Sequence, residues 1–240
     1  MYKEILTKSL SDIFEKYQRL IQVLFFPTLV LMALDYAMLH YVSQEDRTLN
    51  IVLALLSFLV ANVFIIVNVH RVLLLGDNSV AKFGTYIFSK REFRVIGLYF
   101  GILFLVGIPT GLIVAILSSA LKPVISFVFL LPVLVYIMSR ISLVYPATAI
   151  DNYEFSLLDS WELTSRYKLL CFVTLIIYPI LFALGVGIVY GLVIKLFSWI
   201  IGTDLSILYT LLNVVISVFI VSALSNTYKY IIAQENTEDI

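Results

Sequence analysis

Long apolar stretches separated by short polar segments form the dominant pattern of this chain. A helix needs about 20 mostly apolar residues to cross the hydrocarbon core of a bilayer. Six stretches reach that length, and they cover residues 20–41, 50–70, 95–119, 124–145, 169–196 and 205–228. The pattern therefore predicts an all-α integral membrane protein with six transmembrane helices, folded as one polytopic domain over residues 1–240.

The connections between the predicted spans group them into three helical hairpins. Spans 3 and 4 are separated only by Leu121-Lys122-Pro123, and a proline just past a helix end favours a sharp stop. The connections inside the other two pairs are also short, whereas those between pairs are longer. We expect spans 1–2, 3–4 and 5–6 to form antiparallel pairs.

Two polar segments, residues 1–19 and 155–166, show helical periodicity ahead of the first and third hairpins. Their apolar side chains fall on one face at about 100° per residue, and their charges fall on the other. This pattern is typical of amphipathic helices in the membrane interface. The segments beginning at Ser9 and Ser156 also share a short sequence pattern. Internal duplication explains that likeness, and so, equally well, does the small set of residue types that interfacial helices use.

Composition supports the membrane assignment and excludes several classes of protein. The chain is 61% hydrophobic and 13% charged, with a mean hydropathy of +1.02. Soluble domains carry about 45–50% apolar and about 25% charged residues. The net charge of +0 argues against nucleic acid as a partner. The single cysteine, Cys171, excludes an internal disulfide and a cysteine-based zinc cluster.

The basic residues predict the orientation of the chain. If the N-terminus is cytoplasmic, the outer side keeps only Arg47, Lys122 and Lys195 of the 16 Lys and Arg residues. Cytoplasmic connections of membrane proteins carry an excess of Lys and Arg. We therefore expect a bacterial inner-membrane protein with both termini in the cytoplasm.

Glycines suggest which spans lie at the centre. Small residues let helix backbones approach closely where lipid provides no hydrophobic driving force. Span 3 carries four glycines on one face and span 5 carries a further pair, so we expect these two spans to pack centrally and leucine at Gly101 to destabilise more than leucine at Gly76. The helix-packing glycines are Gly97, Gly101, Gly107, Gly111, Gly187 and Gly191. Prolines predict kinks in spans 1, 3 and 5, at Pro27, Pro109 and Pro179.

Few residues have the chemistry of a functional site. Asp35 lies inside span 1, where an ionisable residue is costly. A structural ion pair with Arg47, Lys122 or Lys195 and a proton or cation site are the alternatives. His40 and His70 lie at opposite membrane faces and cannot share a metal. No motif of a nucleophile with its base is present, so we expect no enzyme, no metal and no cofactor.

Arg71, Arg140 and Lys229 end the even-numbered spans on the cytoplasmic side. One interpretation is that each cation complements a helix C-terminus and reaches for the interface. The other is that they contact anionic lipid head groups.

Three short strings carry a resemblance to known proteins. After span 2 the chain has His70-Arg71-Val72-Leu73-Leu74-Leu75-Gly76-Asp77, after span 4 it has Arg140-Ile141-Ser142-Leu143-Val144-Tyr145-Pro146-Ala147, and then Ser160-Trp161-Glu162-Leu163-Thr164. These strings resemble a family of uncharacterised six-span bacterial inner-membrane proteins, with Asp77 in place of the usual glutamate. The pattern is also similar to YciC-like proteins and to the membrane domain attached to some glycerophosphodiester phosphodiesterases. The resemblance implies a six-span fold without an assigned activity, and this sequence holds no part of the phosphodiesterase catalytic domain.

Two functions follow as hypotheses. The first is a non-enzymatic membrane protein that scaffolds or senses envelope lipids, with membrane lipids as its partners. The alternative is a small secondary transporter, or a subunit of a transport complex, with a site near Asp35. Neither a protein partner nor an oligomeric state is indicated by the sequence.

Overall fold

The computed structural model describes residues 1–40, 47–117 and 123–238. Within these ranges the chain contains no strand, and six helices are long and apolar enough to cross a membrane. Spans 1 to 6 are Tyr17–His40, Arg47–Leu75, Lys90–Leu117, Leu130–Ala149, Lys168–Ile201 and Ser206–Asn236. The all-helical class and the six spans are thereby confirmed. Leu121 and Lys122, of the predicted corner between spans 3 and 4, lie outside the described residues.

Most spans consist of more than one helical segment. Spans 2, 3 and 5 each contain a π-helical stretch of five or six residues. The segments of span 2 are Arg47–Leu59, Val60–Ile65 and Ile66–Leu75, and those of span 3 are Lys90–Ile102, Leu103–Gly107 and Ile108–Leu117. Span 4 lies within the helices Pro123–Ile141 and Val144–Ala149, and span 5 consists of Lys168–Phe172, Val173–Ile177 and Tyr178–Ile201. Span 6 lies within Ser206–Leu208 and Tyr209–Glu238.

Prolines explain two of the three π-helical stretches. Pro109 and Pro179 each follow the last π residue by two positions. A proline has no N–H to donate, and its ring clashes with the carbonyl four residues earlier. A wider turn before the proline separates these groups. Span 1, in contrast, continues as an α-helix through Pro27.

Two shorter helices flank the spans. Helix α1 covers Tyr2–Glu15, and helix α2 covers Leu157–Leu163. Ser156 begins α2 with a capping box, in which its side chain and that of Asp159 satisfy each other's backbone N–H groups. The similar Ser9 instead lies in the middle of α1, where its hydroxyl donates to the Ile5 carbonyl at 2.7 Å. The two alike segments therefore occupy different positions relative to their helix ends.

Span 6, rather than spans 3 and 5, lies at the centre of the bundle. In the most apolar 18 residues of span 6, 50% of the residues are buried inside the protein, whereas the share in span 3 is 6%. Spans 2 and 6 contribute to both clusters of buried apolar residues, one near Val67 and Leu224 and the other near Val69 and Val218. The predicted central position of spans 3 and 5 is wrong.

The span 3 glycines accordingly do not mark a close approach of helices. Among the described residues, a methyl group added at Gly97, Gly101 or Gly111 would meet nothing within 4 Å. At Gly107 it would meet only Leu103 of the same span. The glycine face thus faces away from the described part of the chain. The prediction failed because a face of small residues allows another helix to pack closely but does not require one to be there.

Span 5 partly keeps its predicted role. Gly187 has open space beside it, whereas a methyl group added at Gly191 would lie 3.6 Å from the Tyr209 hydroxyl oxygen of span 6. Gly191 is therefore the one predicted packing glycine among the described residues that faces a neighbouring span.

The connection between spans 2 and 3 packs back into the bundle. The Asn68 amide of span 2 donates to the Thr85 carbonyl at 3.3 Å and accepts from the Thr85 N–H at 3.0 Å. Gly84 has φ +90°, and a methyl group there would lie 2.8 Å from the Val23 carbonyl of span 1. This close approach requires glycine, and it fixes the connection against spans 1 and 2.

Candidate lipid-binding groove and the predicted site residues

Lys229 and Lys16 both bind the end of span 2. The last four carbonyls of a helix lack partners within the helix. Lys16 Nζ donates to the Val72 carbonyl at 2.8 Å, and Lys229 Nζ donates to the Leu73 carbonyl at 2.7 Å. Two of the unpaired carbonyls of span 2 are therefore satisfied by cations from opposite ends of the chain. We call this end of the bundle the basic end.

Arg71 belongs to an ion-pair network at the basic end. It donates to the Ala149 carbonyl at 2.9 Å and pairs with the Asp151 carboxylate at 2.7 Å. Arg91 of span 3 pairs with the same carboxylate at 3.2 Å. Partial burial opposes ionisation of Asp151, but hydrogen bonds from Arg71 and Tyr153 and the two positive charges outweigh it, so the pKa of Asp151 lies below its ordinary value. The network joins spans 2, 3 and 4.

Arg140 is buried, with 2% of its surface exposed. Its Nε donates to the Thr164 hydroxyl at 2.7 Å, its Nη1 to the Tyr136 hydroxyl at 3.0 Å, and its Nη2 to the Trp161 carbonyl. The guanidinium also lies 4.5 Å from the centre of the Trp161 ring. Arg140 therefore attaches helix α2 to span 4.

These contacts favour the first interpretation of Arg71, Arg140 and Lys229, in which the cations serve helix ends, over contact with lipid head groups. Arg140 is inside the protein, and the other two donate to backbone carbonyls of neighbouring spans. The sequence could not show this, because Arg71 and Lys229 donate to main-chain carbonyls that are far away along the chain. The three cations hold helix ends together.

Helix α1 turns Ile5, Ser9 and Asp12 toward the protein, and all three are buried. Ser222 Oγ of span 6 donates to the Ser9 carbonyl at 2.9 Å, and Asn226 Nδ2 donates to Asp12 Oδ2 at 3.0 Å. Lys8 completes the group with an ion pair to Asp12 at 3.1 Å. These polar contacts, together with Ile5 in the core cluster around Val67, hold α1 on span 6 and leave the apolar face with Leu10, Ile13 and Phe14 directed elsewhere.

That apolar face lines a groove of about 450 Å³ between α1 and spans 1, 5 and 6. Phe14 is 73% exposed there, although it is one of the largest apolar side chains of α1. Phe182 of span 5 also lines the groove, and its ring stacks on Phe219 with centroids 4.0 Å apart. The groove is lined by Leu10, Ile13, Phe14, Tyr17, Leu20, Ile21, Leu24, Phe25, Thr28, Leu29, Met32, Phe182, Leu211, Val215 and Val218.

The sequence carries one signal for this groove, which is the helical spacing of apolar residues from residues 1–19 into span 1. The apolar face of residues 1–19 continues in phase into span 1, at Tyr17, Leu20, Leu24 and Thr28. Helical spacing of three and four residues places these positions on one face. Phe182 had no comparable signal, because every face of span 5 is apolar.

Asp35 is the only predicted site residue next to polar cavities in the described structure. Its Oδ2 accepts a hydrogen bond from Thr210 Oγ1 of span 6 at 2.6 Å. The expected ion pair with Arg47 or Lys195 is not formed among the described residues, and Lys122 lies outside them. Asp35 therefore has a neutral partner.

The two histidines have separate surroundings. His70 is fully buried, with Nδ1 2.8 Å from Ser225 Oγ, and the His40 ring stacks on Tyr36. Within the described ranges no group of three or more His, Cys, Asp or Glu residues is placed to hold a metal. Comparison with protein-family models, with curated proteins and with solved structures finds no match to this chain.

Proposed function

We propose that the protein is a non-enzymatic membrane protein that holds a lipid acyl chain in the groove beside α1, and that it scaffolds or senses envelope lipids in this way. The observation that carries the proposal is the apolar groove itself, bounded by an exposed aromatic residue on a helix attached through polar contacts. A helix held by its Ile5, Ser9 and Asp12 face is free to present its other apolar residues to lipid.

The length of the groove fits this occupant. Its lining positions on span 1 run from Tyr17 to Met32. At a rise of about 1.5 Å per residue this distance is about 22 Å, whereas one leaflet of the hydrocarbon core is about 15 Å deep. The groove therefore accommodates an acyl chain over the full depth of a leaflet.

Selection in such a groove depends on the shape of the chain more than on the head group. Lipid tails are as apolar as the lining, so transfer from bilayer to groove gains little hydrophobic free energy. Contact of the chain with fixed aromatic walls supplies the preference. Arg71 and Lys229, two of the cations expected to bind head groups, already donate to backbone carbonyls, and Arg140 is buried. We infer discrimination by acyl length and unsaturation.

The proposed setting is the bacterial inner membrane, with the basic end in the cytoplasm. The excess of Lys and Arg at the basic end supports this orientation. In this setting the spans pair as three hairpins, and α1 and α2 lie in the cytoplasmic interface. The resemblance of the His70–Asp77 string to six-span inner-membrane proteins supports the same location.

The test is native mass spectrometry of the purified full chain with phospholipids that differ in acyl length and in head group. We expect bound lipid to vary with acyl chain and little with head-group charge. Val215→Trp, which fills the groove, should lower lipid occupancy by about tenfold, the effect of about 1.4 kcal/mol. Leu192→Trp is the control, because Leu192 is an exposed span residue outside the groove lining.

Two results would contradict the proposal. One is equal lipid retention by both tryptophan variants and the wild type. The other is retention that follows head-group charge alone. Thermal unfolding of each variant shows whether a loss of lipid reflects a loss of fold.

The alternative hypothesis, a small secondary transporter, is favoured by a separate observation. Asp35 adjoins two cavities with polar residues in their linings. That site shares no lining residue with the groove, and it contains a carboxylate and hydroxyl groups.

A further inference from the structure

Asp35 lies between two cavities at the end of the bundle opposite the basic end. One cavity, of about 250 Å³, reaches inward past Ser57 and Ser217. The other, of about 230 Å³, reaches outward past Ser206 and Tyr209. Asp35, Thr210 and Asn213 line both. The carboxylate therefore lies where the outer cavity, which we call the outer vestibule, meets the inner cavity.

Three spans supply oxygen atoms to the inner cavity. Thr210, Asn213 and Ser217 follow one another at spacings of three and four residues, which places them on one face of span 6. Asp35 comes from span 1 and Ser57 from span 2. The polar residues of this cavity thus converge from separate helices instead of forming a run on one surface.

Ser57 provides an independent sign of a ligand. Its hydroxyl oxygen is buried and has no hydrogen-bond partner among the described residues. Buried side-chain polar atoms are nearly always paired, so an unpaired one beside a polar cavity indicates a group that the protein atoms do not supply. The Ser57 side chain carries no charge, and the lone pairs of its hydroxyl oxygen can bind a cation.

The charge of the site limits what that ligand is. A carboxylate inside a membrane span is costly unless its charge is compensated. None of the described Lys, Arg or His residues forms an ion pair with Asp35. One carboxylate surrounded by hydroxyl and amide oxygens is a set of hard ligands with a single negative charge. Such a set matches a cation of charge +1.

We propose that the inner cavity binds one monovalent alkali cation, Na⁺, through Asp35, Ser57, Asn213 and Ser217. A proton would need only the carboxylate, whereas an alkali cation needs several oxygen ligands, and the cavity brings several together. Thr210 positions the carboxylate through its hydrogen bond to Oδ2. The outer vestibule connects the site to the surface beside Ser206.

The test is thermal unfolding of the purified full chain at increasing NaCl, with choline chloride keeping the ionic strength constant. Because Na⁺ would bind the folded chain only, the Tm of the wild type should rise with the logarithm of the Na⁺ concentration, by about 3 °C per tenfold near saturation. Asp35→Asn should remove this rise. Asp77→Asn, a carboxylate change at the basic end, should keep it.

Ser57→Ala is the sharper variant, because its hydroxyl makes no hydrogen bond in the unliganded chain. Removing it should leave the Tm in choline chloride unchanged or higher, since an unpaired buried group is lost. The Na⁺ concentration at which the Tm begins to rise should increase by about tenfold.

Three outcomes would overturn the proposal. The first is a wild-type Tm that is the same in NaCl and in choline chloride. The second is a Ser57→Ala chain with an unchanged Na⁺ response. The third is a Tm that changes with pH and not with Na⁺, since a proton alone would then compensate Asp35. Equilibrium dialysis of the wild type against radioactive Na⁺ gives the stoichiometry directly, so the proposal stays testable if Asp35→Asn fails to fold.

Discussion

Three substitutions of Asp151 separate its charge from its backbone conformation. Asp151 follows the end of span 4 with φ 65°, the left-handed conformation that glycine usually occupies at this position. Its N–H donates to the Thr148 carbonyl at 3.1 Å, and the Asn152 N–H donates to the Ala147 carbonyl at 3.0 Å. These two bonds form a Schellman motif that ends the helix. The side chain meanwhile pairs with Arg71 and Arg91.

The two contributions differ in size between variants. The Asp151 side chain is 43% exposed, so solvent screening limits the ion pairs to about 1 kcal/mol in total. Asparagine tolerates the left-handed conformation and removes only the charge. Alanine removes the charge and also incurs about 1 kcal/mol of backbone strain. Glycine removes the charge without strain. We expect Asn and Gly to lower the free energy of unfolding by about 1 kcal/mol and Ala by about 2 kcal/mol.

Thermal unfolding followed by tryptophan fluorescence measures this order. For a chain of this size 1 kcal/mol shifts the Tm by about 2–4 °C. The pKa of Asp151 is depressed in the folded chain, so its stabilisation is present above the ordinary value of 3.8 and is lost as the pH falls through the lower folded value. The difference between the wild type and Asp151→Asn should therefore shrink in acid and at high salt. An alanine variant as stable as the asparagine variant would refute the strain, and a difference that grows in acid would refute the ion pairs.

Three further predictions follow from the packing. Arg140→Gln should lower the free energy of unfolding by about 3 kcal/mol and change tryptophan fluorescence, because it leaves buried acceptors unpaired; a Tm within 1 °C of the wild type, a shift of well under about 0.5 kcal/mol, would argue against the buried network. Gly76→Leu should be less stable than Gly101→Leu, the reverse of the sequence-based expectation, because Gly76 has φ 90° and Gly101 has open space beside it; the opposite order in thermal unfolding would restore the glycine argument. Reporter fusions should be periplasmic at Gly202 and cytoplasmic at Glu238, and the same compartment for both would exclude an odd number of crossings between them.

The sequence was informative about the spans and poor about their arrangement. Long apolar runs predict six membrane helices because hydrocarbon thickness sets their length. Inside such runs nearly every position is apolar, so periodicity no longer shows which face is buried. The stronger signal for the centre was polar, since span 6 buries Ser222, Ser225, Asn226 and Thr227. Polar side chains in a span need protein partners, whereas glycines do not.

The candidate sites divide in the same way. Asp35 was found because an acid in an apolar span stands out, but its partner Thr210 is an ordinary residue 175 positions away. The groove required knowing that α1 would be held by Asp12 and Asn226. Such contacts depend on tertiary packing and leave no local trace in the sequence.

The central position of span 6 has a consequence for biogenesis. Helices enter the membrane in the order of synthesis, so spans 1 to 5 are present before the helix that fills the space between them. Until then the Leu73 carbonyl lacks Lys229 and the Asp12 carboxylate lacks Asn226. The five-span nascent chain therefore lacks these contacts and the buried surface of span 6, and insertion of the sixth helix completes the fold.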